Sequence, residues 1–495
     1  MKKNIPFIGI VCALLLIACE PPQSNAIRMG IANAPVNLDP RFSTDATSSR
    51  INRLLYERLV DFDDASRPVP ALAQWQQLSP VHYRFALKDE GRAFHNGGRL
   101  TASDVKATYD FILDQGNASL HRATLAMIDK VEIQGDDQID FFLTRADPLF
   151  PAYLAIGILP AYLMGKGHPF QNQPVGSGPF QFVEWPEEGR LLLKRRRDGQ
   201  RFEFLKVSEA TVRILKLLRG EVDMIQNDLP PELLAYLKQK ENVNIEQVKG
   251  SNFSYLGFNL QDADTGQLAV RQAVAYAIDR DAIIHYVMQG AASQAQALFP
   301  PSHWAGADGL PPYNRDLKRA KALLREAGYD EQHPLRLVYK TSSDPFRVRL
   351  ATVIQSQLAE AGIEVDLRSY DWATVYGDIK AGRFQMYSLA WVGVKTPDIF
   401  RYVFHSGSVP PDGANRGRFK HEQVDRLIEQ AESEIDESRQ ADLYRQLQAL
   451  LLQELPYVPL WYENQIFVSR SEIQGYHLAS DGNYGGLNGV ERRVE

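Results

Sequence analysis

From residue 27 to residue 468 short strand-like runs alternate with longer helical ones. That alternation, sustained across most of 495 residues, points to an α/β fold in which helices cover the faces of a sheet. Residues 27–31 read as a strand, Asn37-Leu38-Asp39-Pro40 as a turn, and Ile51, Leu54, Leu55 and Leu59 as one face of a helix. Residues 83–88 and 138–143 alternate polar with apolar, as half-buried strands do. Between them Thr101 supplies a hydroxyl cap and Asp104 the acid three residues on, which start a helix through Leu113. Further helices are expected over 210–218, 269–288, 317–327, 347–361 and 424–452. Strands are expected over 255–260, 335–339, 363–367 and 457–468. Pro174-Val175-Gly176-Ser177-Gly178-Pro179-Phe180 is a dense breaker cluster that suits a change of domain. No internal repeat interrupts the pattern.

The first residues follow a different logic. Lys2 and Lys3 precede an apolar run over residues 5–18, shorter than the roughly 20 residues a spanning helix needs. Residues 1–18 therefore read as a signal peptide. Leu16-Ile17-Ala18-Cys19 resembles the bacterial lipobox, which implies lipidation of Cys19 and a short polar tether over 19–26. An ordinary signal peptide with a chance cysteine is the alternative. The other cysteine, Cys12, would leave with the leader, so the remaining body has no thiol for an internal disulfide or a Cys-based zinc site beyond Cys19. A formal charge of −6 argues against nucleic acid as partner.

Several stretches in order resemble the bacterial extracytoplasmic solute-binding proteins of family 5, the dipeptide, oligopeptide and nickel binders of ABC importers. They are Asn37-Leu38-Asp39-Pro40, Leu55-Tyr56-Glu57-Arg58-Leu59-Val60, Phe94-His95-Asn96-Gly97-Gly98-Arg99-Leu100-Thr101, Gly176-Ser177-Gly178-Pro179-Phe180, Gly257-Phe258-Asn259 and Val270-Arg271-Gln272-Ala273-Val274. The resemblance implies a type II periplasmic-binding-protein fold: two lobes and three domains with a ligand cleft between the lobes. Domain I would comprise 27–50, 165–259 and 455–495, domain II would be an insert over 51–164, and domain III, the second lobe, would span 260–454. Chain crossings near 255–260 and 454–460 would form the hinge. The implied function is capture of a short peptide or peptide-like solute by lobe closure, with delivery to permease and ATPase subunits. A metal chelate is the alternative solute, and an envelope enzyme or folding factor on the same scaffold the alternative class. The resemblance implies no cofactor, a monomer, and a lipid-anchored place on the periplasmic side of the envelope.

Candidate contacts follow from strand ends and glycine-rich loops. Trp391 ends an apolar strand and begins a loop with Gly393 and Pro397, where α/β sheets hold ligands, although plain core packing suits a tryptophan equally. In peptide binders of the family an acid shortly after this tryptophan meets the ligand's amine. Here the positions are Val392, Gly393, Val394 and Lys395, which turns attention from an amine to an anion that Lys395 would hold unless it is simply solvated. Phe42, Ser43, Thr44 and Asp45 lie in the first-lobe loop and are also ordinary turn formers. Asn415 and Arg416, between Gly413 and Gly417, resemble a loop near the pocket. Arg416 suits either a carboxylate or the surface. Tyr484 would reach the cleft or mark a flexible tail.

Enzyme chemistry finds little support. Gly176-Ser177-Gly178 lacks both the P-loop lysine and the frame of a nucleophile elbow. The ten histidines never form His-Glu-x-x-His, and His95, His405 and His421 stand singly, so no metal site is expected.

Overall fold

The sheet order explains the architecture. The computed structural model describes residues 25–43, 45–187 and 189–493; the expected leader, Cys19 and Thr44 lie outside them. Among the described residues eleven strands join one sheet. At its middle two long antiparallel strands, Val243–Phe258 and Tyr457–Arg470, pair along most of their length. Met224–Gln226 joins the late end of this pair, followed by Ile27–Ile31, Arg201–Lys206, Arg190–Arg195 and Phe180–Glu187. Met386–Trp391 joins the other end, followed by Leu335–Ser342 and Ile363–Tyr370. The long pair is thus shared between two half-sheets, one in each lobe.

Leu335–Ser342 lies parallel to both its neighbours. Parallel pairing needs crossovers, and the helices Pro345–Glu360 and Trp372–Ala381 supply them. Leu335, Leu337 and Tyr339 are buried while Arg336 between them is exposed, so the period of two fixes which face meets the helices.

Separate cores accompany the two lobes. Leu59 to Ile158 contribute one of their own, around a four-stranded sheet in the order Ala73–Ser79, His82–Leu87, Gln138–Leu143, Ile128–Gln134 and the helix Ala102–Leu113. That helix starts as expected: the Thr101 backbone N–H donates to the Asp104 carboxylate at 2.8 Å. A second core gathers residues from Ile27–Ile31, from 51–56, from 159–204 and from the closing segment up to Val490. The second lobe builds its core largely from residues 253–462.

Two expected helices are broken. The 269–288 segment is Leu268–Ala277 followed by a new turn in which Asp279 accepts from the Ala282 N–H at 2.9 Å. The 424–452 segment is Glu422–Ser433 and Glu437–Glu454, the second capped by Asp436 on the Arg439 N–H at 3.0 Å. In both cases an aspartate satisfies free N–H groups and restarts the helix in a new direction.

Between Val248 and Asn252 the long pair loses register. At Gly250 a Cβ would stand 2.1 Å from the Glu463 carbonyl oxygen, so only glycine lets the strands meet there. This irregular step is where a bend costs least. It lies earlier in the chain than 255–260 and later than 454–460, where the crossings were expected.

Candidate ligand-binding site

Because Leu335–Ser342 and Met386–Trp391 are parallel, their C-terminal ends arrive at one edge of the second-lobe sheet. Thr341, Ser342, Trp391 and Val392 there line a cavity of about 380 Å³. The helix Trp372–Ala381 adds Trp372 and Tyr376, which stack with ring centres 5.2 Å apart, and the long pair adds Ser254 and Trp461.

Arg416 forms the charged part of the wall. It is 6% exposed, donates to the hydroxyls of Tyr255 and Tyr376 at 3.3 Å each, and lies 5.0 Å from the Trp391 ring centre. Among the described residues no carboxylate forms an ion pair with it. A guanidinium stays ionised at any ordinary pH, so the cavity holds a desolvated positive charge whose partners are neutral hydroxyls and rings. The Tyr457 hydroxyl lies beside Tyr387 and the Trp391 indole N–H, and none of these three groups makes a hydrogen bond of good geometry.

The loop carrying Arg416 is rigid for reasons in its neighbours. Asn415 is fully engaged: its amide donates to the carbonyls of His405 at 3.1 Å and Phe419 at 2.8 Å, and its oxygen accepts from the Phe419 N–H at 2.8 Å. Gly417 passes so close to Phe258 that a Cβ would meet its carbonyl oxygen at 2.4 Å. Asn415 thus positions the arginine and faces the core.

Lys395 acts between the lobes. Its ammonium pairs with Asp481 of the closing segment and lies 4.9 Å from the Phe62 ring centre. Burial pushes the Lys395 ammonium below its usual value, with Asp481 opposing. Burial works to raise the Asp481 carboxyl, but Lys395 and the Asn483 N–H hold it below the usual range. The charge expected to meet a ligand anion is therefore already met by the protein. His303 fixes the same loop. Its Nδ1 accepts from the Ala305 N–H at 3.0 Å, so its Nε2 donates to the Lys395 carbonyl at 2.8 Å, and burial lowers it to about 4. A further bridge runs from the Trp304 N–H to the Ala65 carbonyl at 3.0 Å.

The other expected residues serve packing in this arrangement. Asp45 caps the helix Ala46–Leu55 by accepting from the Ser48 N–H at 2.8 Å. Phe42 meets Phe111 edge-on at 5.8 Å, tying its loop to the inserted unit. Val394 packs on the second-lobe core, and Tyr484 is buried against Phe204 beneath the Arg50 guanidinium. Of the eight expected ligand contacts, the cavity wall brings together Trp391 and Arg416. Sequence reasoning passed over Trp372 and Tyr376, whose spacing of four on one helix face was a usable signal. Tyr255 and Tyr457, stacked 3.9 Å apart across the long pair, gave no local one.

Two lobes on a shared strand pair, with a cavity rich in aromatic rings at the strand ends, define an α/β binding protein of the type II periplasmic class. Its sequence agrees: residues 67–410 match the middle region of the bacterial extracellular solute-binding proteins, family 5. The chain belongs to that family, whose members bind solutes outside the cytoplasm. It is 27% identical to the dipeptide-binding protein of Escherichia coli (strain K12), covering 96% of each chain. It is 29% identical to heme-binding protein A of Haemophilus influenzae, covering 96% of this chain and 97% of that one. Among solved structures, HbpA2 from Haemophilus parasuis superposes with a TM-score of 0.83 at 25% identity, over 95% of this chain and all of that one. No helix among the described residues is long and apolar enough to cross a membrane.

Proposed function

We propose that this chain is the substrate-binding component of an ABC importer and captures a short peptide or peptide-like solute through a carboxylate held on Arg416. The observation that carries the reading is the buried guanidinium on the wall of the 380 Å³ cavity, without an acidic partner among the described residues. A ligand carboxylate there replaces weak neutral partners with a bidentate, charge-assisted pair. The dipeptide-binding relative supports the solute class. Lobe closure favours the bound form through contacts made from both sides, and the step at Gly250 gives the lobes a place to bend.

Isothermal titration with a short peptide and its C-terminal amide tests this. A charged hydrogen-bonded pair contributes roughly 1.5–3 kcal/mol, so the amide binds about ten- to a hundredfold more weakly. Equal binding of the two refutes the role of Arg416. A carboxylate-bearing metal chelate would meet the same guanidinium, and metal analysis of protein purified from cells separates it from a peptide.

The domain limits 27–50, 165–259 and 455–495, 51–164, and 260–454 belong to the same proposal; the separate cores support three units, although 51–56 and 159–164 pack with domain I and the insert's own core runs from Leu59 to Ile158. So do a monomeric state, no enzymatic activity, and anchoring through lipid on Cys19 on the periplasmic side, for which the support is Leu16-Ile17-Ala18-Cys19. Radiolabelled palmitate incorporated by the wild type and lost in Cys19→Ser tests the anchor.

A further inference from the structure

We infer that the solute is recognised by its carboxylate without a free amine, so that the cleft accepts N-blocked peptides and N-acyl amino acids. The inference rests on the reading of Arg416 given above and narrows its substrate class.

Charge matching is the first argument. The cavity wall carries two guanidinium groups, Arg347 and Arg416, and no acid among the described residues. Arg347 is balanced by Glu463 at 3.0 Å, and that carboxylate also accepts from the Ser254 hydroxyl at 3.2 Å. Arg416 is the charge left over. A monoanion neutralises the wall, whereas a zwitterion brings an ammonium that finds no acid on it and is repelled by the arginine.

The acids around the Lys395 loop are engaged as well. Asp481 is held by Lys395, Asp61 by Arg53 and Arg58, and Asp398 by the Thr396 hydroxyl. Between Trp391 and Asp398 the loop offers no acid. A chain that is acidic overall therefore carries one unpaired positive charge, Arg416, on this wall.

Aromatic rings are the usual second home for an ammonium. Here Arg416 itself lies against Trp391 and Tyr376, at 5.0 and 5.3 Å from their ring centres. The rings that remain, Tyr339, Trp372 and Trp461, stand beside Leu350, Ile354, Leu389 and Leu460, a largely apolar wall suited to an acyl group or a neutral amide.

The test is titration of the purified full chain with four probes: Ala-Phe, N-acetyl-Ala-Phe, Ala-Phe amide and N-acetyl-Ala-Phe amide. The acetylated acid is expected to bind at least as tightly as the free dipeptide, and each amide at least tenfold more weakly than its acid. Acetylation that weakens binding tenfold or more overturns the inference while leaving the carboxylate reading intact. Binding indifferent to amidation overturns both, as does failure of all four probes to bind. Val392→Asp supplies an independent measurement, because Val392 lines the cavity and is 58% exposed, so the variant folds. Its new acid is expected to shift the preference at least fivefold towards the free dipeptide, and an unchanged preference counts against the inference.

Discussion

Asp147→Asn should make the protein more stable at pH 7.5 and clearly less so at pH 4.5. Asp147 belongs to the inserted unit and is half-buried where that unit meets Asp398 and Glu432 of the second lobe. Burial raises its carboxyl from 3.8 to about 6; the Leu149 N–H and Arg145 oppose the rise, and Glu432 and Asp398 add to it. Burial likewise raises Asp398, and Arg401 holds Glu432 at 2.7 Å. Between pH 4 and pH 6 the folded chain keeps a proton that the unfolded chain has released. Stability from this group is therefore greatest below about pH 4 and falls as pH rises through 6. Two pH units correspond to at most about 3 kcal/mol, which water at a half-buried site reduces to about 1–2 kcal/mol. Asparagine removes the charge while its oxygen still accepts from the Leu149 N–H, now at 2.9 Å. Thermal and urea unfolding of both proteins at the two pH values measures the difference. A variant less stable than wild type at pH 7.5, or an equal gap at both, refutes the argument.

Three other substitutions separate binding from folding. Arg416→Met should abolish ligand-induced thermal stabilisation while the unliganded midpoint holds or rises, since a buried charge without an acid costs stability; thermal shift with and without peptide reads both. Trp391→Ala removes a half-buried ring from the cavity wall, and about 1–3 kcal/mol of binding free energy with it, with little change in the unliganded midpoint; calorimetry checks the first and thermal unfolding the second. Gly250→Ala forces a Cβ against the Glu463 carbonyl and should cost about 1–3 kcal/mol of stability, and its small-angle scattering profile should respond differently to ligand from that of wild type.

Much of the fold could be read from local pattern. Strands at 27–31 and 138–143 and the helix at 210–218 lie where their periodicity puts them. The two merged helices show where pattern misleads: the apolar period runs on past Asp279 and Asp436, and only the caps reveal the break. Val243–Phe258 was legible only in its buried second half, because 243–252 is half exposed and mixes polar with apolar residues. Trp391 and Arg416 were visible as a strand end and a glycine-bracketed loop. The tyrosines around Arg416 were not, because pairing between residues some two hundred apart in sequence brings Tyr255 to Tyr457. Lys395 stands out in the sequence for its charge, and only the folded chain shows that Asp481 already answers it.

A hydrogen-bonded ribbon runs from one half-sheet to the other, its register shifting at the Gly250 step and again between Ser254 and Tyr255. Two strands hydrogen-bonded along most of their length yield most readily where their register shifts, so any change of angle between the halves is concentrated at these two steps.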